Sequence, residues 1–236
     1  AGENSVKLTA VATDAVGNTS TITENVAVDT VVRNFALTGG KIGGDGILNA
    51  AEVAQGLTMT GSAEPGATLV LHLTNGAERT VTVGADGNWS ATFPASVLPT
   101  GELSQTVTIT ATDRAGNVST LTDSFLVDTI APESPEVTGV NKATNGTMRG
   151  IYTEDTSDSY SFHEVASNGT SSSVTATRSD MGDEAYFSFG RAVPDGSYLV
   201  INTEDAAHNS TSTLVIVNNT TASVVDLSRS GLSNFD

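Results

Sequence analysis

One loop motif recurs along this chain at a nearly fixed distance. The run Leu8-Thr9-Ala10-Val11-Ala12-Thr13-Asp14 closes with Gly17-Asn18 and leads on to Val28-Asp29-Thr30. Val107-Thr108-Ile109-Thr110-Ala111-Thr112-Asp113 closes with Gly116-Asn117 and leads on to Val127-Asp128-Thr129, every landmark displaced by 99 positions. A divergent third copy, Leu199 to Asp205 with His208-Asn209, follows a further 92 positions on. Self-similarity at such a period means one folding unit used repeatedly, which rules out a single large core.

The third copy extends upstream of its loop. Met59 and Gly61 recur as Met148 and Gly150, and Leu69, Leu71 and His72 as Tyr160, Phe162 and His163. Asp86 and Trp89 recur as Asp183 and Tyr186, and Pro99 and Gly101 as Pro194 and Gly196. The displacement drifts by a few residues among these pairs, as loop insertions in a shared fold produce, and Ser167–Ser173 reads as the main insertion. Within one copy, strands are expected at 31–38 (A), 57–63 (B), 67–74 (C), 78–84 (D), 88–94 (E), 106–112 (F) and 118–127 (G). Val107, Ile109 and Ala111 alternate with threonines, the period-two pattern of a half-buried strand. Turn formers separate the strands at Glu64-Pro65-Gly66, Asp86-Gly87-Asn88 and Pro99-Thr100-Gly101. Seven short strands in such a length describe an Ig-like fold, so the chain reads as all-β, made of tandem Ig-like β-sandwich domains. Residues 45–55 break the alternation and read as a short helix crossing between sheets. The expected domains are a partial repeat at 1–30 (an F–G hairpin only), a complete one at 31–129, a divergent one at 130–219, and a C-terminal extension or start of the next unit at 220–236.

Charge narrows the partners. The 236 residues carry 27 Asp+Glu against 10 Lys+Arg, a net charge of −17, which argues against nucleic acid and anionic membranes and favours hard cations. Cysteine is absent, so neither disulfides nor thiolate metal sites are available. No apolar run approaches the roughly 18–20 residues that span a bilayer, so no membrane insertion is expected. The lack of a leader segment reads as an internal or processed piece of a longer chain.

The loop Thr112-Asp113 to Gly116-Asn117, the closing Val127-Asp128-Thr129, the run Gly61 to Gly66 and Asp86-Gly87-Asn88-Trp89 together resemble the bacterial Ig-like repeats of giant secreted adhesins, in particular the biofilm-associated protein group of Gram-negative bacteria. The divergent third copy resembles the C-terminal end of such an array. This resemblance implies type I secretion, retention at the cell surface, and calcium at the junctions between domains. The third copy departs from the pattern, with His208 in place of Gly116 and Val217-Asn218-Asn219 in place of Val127-Asp128-Thr129.

Topology supplies a separate argument for calcium. The exit of one Ig-like sandwich meets the B–C and F–G loops of the next. The first junction then gathers Asp29, Glu64 and Asp113, and the second Asp128, Glu154 or Asp155, and Asp205 with Glu204 at hand. Asp14 would serve a junction upstream. Carboxylates converging without a lysine beside them repel unless a cation sits among them, and an all-oxygen set favours calcium. Against this stands the reading that each aspartate only caps its turn, Asp113 accepting from the amides of Ala115–Asn117. Asp45-Gly46 has the look of an EF-hand fragment but reads as a simple turn. His72 and His163 read as outward-facing, Trp89 and Tyr186 as core or edge residues, and no histidine has a paired acid at plausible spacing, so no enzyme is expected. The function expected is a calcium-stiffened spacer of a surface adhesin, secreted or surface-bound, acting in adhesion and biofilm beside neighbouring Ig-like repeats. Two further readings are a glycan- or protein-binding module in the third copy, contacting a host or neighbouring-cell ligand, and an accessory domain of a secreted hydrolase.

Overall fold

The computed structural model describes residues 4–143, 147–154, 158–217 and 222–226, almost all of them in strands or turns. The chain divides into two compact units, Ala1–Asp128 and Thr129–Asp236.

The first unit begins with a ten-pair antiparallel hairpin of β1 (Asn4–Thr13) and β2 (Thr19–Val28). It continues with β3 (Ala36–Thr38), β4 (Ile47–Leu48), α1 (Ala50–Gln55), β5 (Leu57–Ser62), β6 (Thr68–Leu73), β7 (Glu78–Thr82), β8 (Asn88–Phe93), β9 (Glu102–Thr112) and β10 (Val118–Asp128). These make two sheets, β3-β5-β8 and β4-β10-β9-β6-β7. Strict alternation drives the arrangement. Leu57, Met59, Trp89, Ala91 and Phe93 point inward from one sheet, and Leu69, Leu71, Leu73, Val107, Ile109 and Ala111 from the other, all buried. Facing apolar rows of this kind make a sandwich core. Gly61 is required by it, because a Cβ there would lie 2.5 Å from the Trp89 ring and 2.3 Å from the Ala36 carbonyl oxygen.

One region differs from the sequence reading. Of the expected strand A at 31–38 only Ala36–Thr38 is strand (β3), and Ile47–Leu48, inside the stretch read as a helix, forms β4, which pairs in parallel with β10 on the other sheet. The expected strand D, here β7, pairs with β6 on the β9–β10 side. The reason is the turn between them: Leu73 N donates to Ala77 O at 2.9 Å, Ala77 N to the Asn75 side chain at 3.0 Å, and Gly76 takes φ +91°. An Asn-Gly turn this tight leaves the next strand no partner but the one it has just left. The expected helix in 45–55 is α1, capped by Asn49: its side chain accepts from Glu52 N while the Glu52 carboxylate accepts from Asn49 N, both at 3.0 Å.

The second unit repeats the plan. β11 (Val137–Lys142), β12 (Met148–Glu154), β16 (Glu184–Val193) and β15 (Ala176–Asp180) form one sheet. β14 (Ser171–Val174), β13 (Ser159–Val165), β17 (Tyr198–Glu204), β18 (Ser210–Val217) and β19 (Ala222–Asp226) form the other. Met148, Ile151, Phe162, Phe187, Phe189, Leu199, Ile201 and Val215 fill the space between. Asn168-Gly169 turns the chain from β13 into β14 as Asn75-Gly76 does earlier, so Ser167–Gly169 belongs to a shared turn, and the additional residues flank it, some at the end of β13 and the rest downstream of the turn. Glu164 stands at the position of the buried Leu73. It is buried as well, held by an ion pair with Arg191 and by the Ser197 hydroxyl, which donates at 2.9 Å. Among the described residues no helix is long and apolar enough to cross a membrane.

Burial separates β9 from its equivalent β1. Leu8 is 55% exposed, whereas Ile109 is 1% exposed. Ile109→Ala should therefore cost about 2–5 kcal/mol by leaving a cavity, while Leu8→Ala should stay within about 0.5 kcal/mol. Trp89, the only tryptophan, is buried in the same core and reports the transition in denaturant melts.

Candidate metal centre

The three recurring loops share one hydrogen-bond pattern. In the β9–β10 loop, Asp113 N donates to Asn117 O at 3.0 Å and Gly116 N to Asp113 O at 3.2 Å. The Asp113 carboxylate accepts from Asn117 N at 2.8 Å and from the Asn117 side-chain amide at 2.7 Å. Asp14 accepts from Val16 N, Asn18 N and the Asn18 amide at 2.8–3.0 Å. Asp205 accepts from Ala207 N, Asn209 N and the Asn209 amide at 2.9–3.1 Å. The fourth loop position turns left-handed in all three, with φ +93° at Gly17, +89° at Gly116 and +68° at His208. Histidine is among the few side chains that tolerate this region, which is how the third loop keeps its shape without glycine. All three aspartates cap their turns.

Capping does not use up Asp113. One oxygen each from Asp29, Glu64 and Asp113 lie within 4.8 Å of one another, with Asp113 buried and the other two half-buried. The β5–β6 turn presents Glu64: Ala67 N donates to Glu64 O at 3.0 Å, and Gly66 takes φ +82°. Asp29 follows directly on β2. Asn117 ties two of the three together, its side-chain amide donating to Asp29 at 3.1 Å as well as to Asp113. The Glu64 Oε2 atom is buried and accepts no hydrogen bond among the described residues. Arg33 Nε lies 3.9 Å from that oxygen, and the Arg114 guanidinium lies across Gly66, so two arginines border the cluster. Neither was foreseen, although Arg33 lies only four residues beyond Asp29. The bridging role of Asn117 was missed too, since its motif was read as a turn. Burial raises the Asp113 pKa, but the Asn117 side-chain amide and the amides of Asn117, Ala115 and Gly116 more than offset this and hold it below 3.8. In Asp14 the Asn18 side-chain amide leads the lowering.

The remaining sequence candidates lie elsewhere. Asp14 is exposed at the tip of the β1–β2 hairpin. Asp128 ends β10 in the first unit, and Glu154 ends β12 while Asp205 begins the β17–β18 loop in the second. Asp155 falls outside the described residues. His72 faces solvent as expected. The expectation that no histidine has a paired acid fails at His208, whose Nδ1 lies 2.6 Å from Glu204 Oε1, one helical-turn equivalent away in sequence and brought close by the loop.

A two-sheet Ig-like sandwich with an acidic, oxygen-only cluster at the tips of its B–C and F–G loops defines the class. Residues 48–128 match the model of the bacterial Ig domain family. Among solved structures it is similar to a Ca2+-stabilized adhesin that helps an Antarctic bacterium reach out and bind ice, at 26% identity and a TM-score of 0.50, over 88% of this chain and 54% of that one. A structure of a 1.5-MDa bacterial ice-binding adhesin concerned with host cell surface retention has 22% identity and a TM-score of 0.50, over 88% of this chain and 71% of that one. The chain thus spans about half the length of the first of these. No curated protein matches it.

Two expectations follow. Gly116 has open space around it but a left-handed φ, so Gly116→Ala should destabilise the first unit by about 1 kcal/mol in Trp89-monitored melts. The lowered Asp113 pKa contributes stability that is complete above the unfolded value and is lost as pH falls through the lower folded one. Melting temperature measured in chelator should therefore decline below about pH 4, with a shallower decline in Asp113→Asn.

Proposed function

We propose that this chain is a calcium-stiffened spacer segment of a large bacterial surface adhesin, secreted and held at the cell surface, that serves cell adhesion and biofilm formation and does no catalysis. On this reading residues 1–30 are the F–G hairpin of one Ig-like repeat, 31–129 a whole repeat, 130–219 a divergent one and 220–236 an extension. The observation that carries it is the Asp29–Glu64–Asp113 cluster with its buried, unbonded Glu64 oxygen. Three carboxylates this close repel one another, and a buried carboxylate oxygen without a donor is costly. A cation removes both penalties at once. All the donors are hard oxygens, and two of the three residues are only half-buried, so waters and carbonyls can complete a calcium shell of six to eight ligands. Likeness to a Ca2+-stabilized adhesin supports the same reading.

Asp29, Glu64 and Asp113 would hold the ion, with Asn117 keeping Asp29 and Asp113 aligned. The ion would supply charge neutralisation and a fixed link between the end of β2 and the two loops of the following sandwich. Asp14 offers the equivalent loop ligand for a junction further upstream, and Asp128, Glu154, Asp155 and Asp205 stand as the second set on sequence grounds alone. The polypeptide would leave the cell limp, where calcium is scarce, and stiffen outside.

Calcium titration of the full chain with thermal unfolding and small-angle scattering tests this. Calcium at roughly 10⁻⁴–10⁻³ M should raise the melting temperature, by the equivalent of about 2.7 kcal/mol at a hundredfold excess over Kd. It should also fix the maximum dimension. Glu64→Gln should lose most of the calcium response yet melt no earlier than the parent in chelator, since it relieves repulsion. Identical melting and scattering in calcium and chelator would refute the reading.

A further inference from the structure

The stretch between β2 and β3 carries both a member of the acidic cluster and a positive charge that faces it. Asp29 turns this stretch at its start, its carboxylate accepting from Val31 N at 3.3 Å. Four residues on comes Arg33, followed by Asn34 with φ +54°, a left-handed conformation that asparagine tolerates better than most side chains. The Asn34 carbonyl accepts from the Ser62 hydroxyl at 2.8 Å. Ser62 ends β5, two residues before Glu64, so this bond pins the connecting stretch beside the β5–β6 turn. The Arg33 guanidinium is thereby brought to Glu64, with Nε 3.9 Å from Oε2.

The pair is unequal. The Arg33 side chain is 50% exposed and that of Glu64 only 17%. The Glu64 Oε2 atom is buried, and at this separation it feels the guanidinium charge without accepting a hydrogen bond from it. Ion pairs with one half-exposed partner are worth little in water, so Arg33 can give up Glu64 at small cost. Arg114 is held differently. Its guanidinium lies over the backbone of the β5–β6 turn, where a Cβ on Gly66 would come within 2.6 Å of its Nε. Arg33 is therefore the cation poised to trade places.

We propose that Arg33 is the resident counter-cation of the Asp29–Glu64–Asp113 cluster and must leave Glu64 for calcium to enter, so that this one side chain sets how much calcium the site demands. The inference rests on the calcium reading of the cluster. It gives Arg33 two effects of opposite sign. In the absence of calcium the guanidinium offsets part of the repulsion among the three carboxylates and steadies them. Beside a bound ion it is a like charge and weakens binding. Two unit charges about 4 Å apart in water shift an equilibrium by roughly fivefold, and a divalent ion feels more. A monovalent ion brings no more charge than the guanidinium it would replace, so the exchange favours divalent cations.

The test titrates calcium into the full 15N-labelled chain, as parent, Arg33→Gln and Arg33→Lys. The Asn117 side-chain amide, which bridges Asp29 and Asp113, reports the Kd of this cluster and of no other. Arg33→Gln should bind calcium about fivefold or more tightly, yet melt earlier than the parent in chelator. Arg33→Lys keeps the charge and should stay near the parent in both. In the parent, the Arg33 Nε–H signal, assigned by its loss in Arg33→Lys, should move as calcium saturates the site. Unchanged or weaker binding in Arg33→Gln, equal tightening in Arg33→Lys, or an Arg33 signal unmoved at saturation would each overturn the proposal and leave the calcium reading standing. A parent that binds no calcium would overturn both. The Arg33 signal is read in the parent, so it decides even where a variant fails to fold.

Discussion

An aspartate that writes its own turn holds this architecture in place. The Asp113 carboxylate ties down the backbone and side chain of Asn117, and this sets the register of the eleven residue pairs of β9 and β10. A strand has a side-chain period of two, so a slip of one residue would send Val107, Ile109 and Ala111 into solvent. The sandwich core therefore depends on a hydrogen-bonded loop at its rim. The same loop puts Asp113 beside Glu64 and Asp29. Register and candidate chemistry are set by one residue.

Much of this was legible because the loop motif is rigid and repeats. The spacing of Asp14, Asp113 and Asp205, the alternation through β9 and the turn at Glu64-Pro65-Gly66 were enough to place the loops that bring three carboxylates together. What escaped was non-local or misweighted. The Asn75-Gly76 turn is a strong hairpin signal, yet it was not among the turn formers read from the sequence. The β4 strand, in a stretch read as helix, depends on finding β10, a partner about eighty residues on, which no local pattern announces. Arg33 and Arg114 beside the cluster could not be seen from spacing because their positions follow from how the turns pack.

The second unit shows what the plan tolerates. Its core takes a buried carboxylate, Glu164, where the first has Leu73, and neutralises it with Arg191 rather than excluding it. With Glu164 buried and Arg191 exposed, the pair lets the charged head of the arginine stay in water while it satisfies the carboxylate. Its loop takes His208 in a left-handed conformation where glycine stood. Its sheet gives up part of a strand on one side to gain one on the other. Each change keeps the β17–β18 ladder intact and alters the periphery, which is where two copies of one fold can acquire different duties.

The short parallel contact between β4 and β10 has a mechanical meaning. Leu126 pairs with Ile47 and Val127 with Leu48 just before the first unit ends at Asp128. A pull on the chain leaving Asp128 draws β10 along its own axis while the rest of the sandwich holds β4 back. The bonds between them are then loaded together, in shear, and must all fail at once instead of unzipping one after another. A chain under tension from flow or from an attached cell would meet its resistance at the exit of the domain, in four residues of which Leu48 and Val127 also belong to the core.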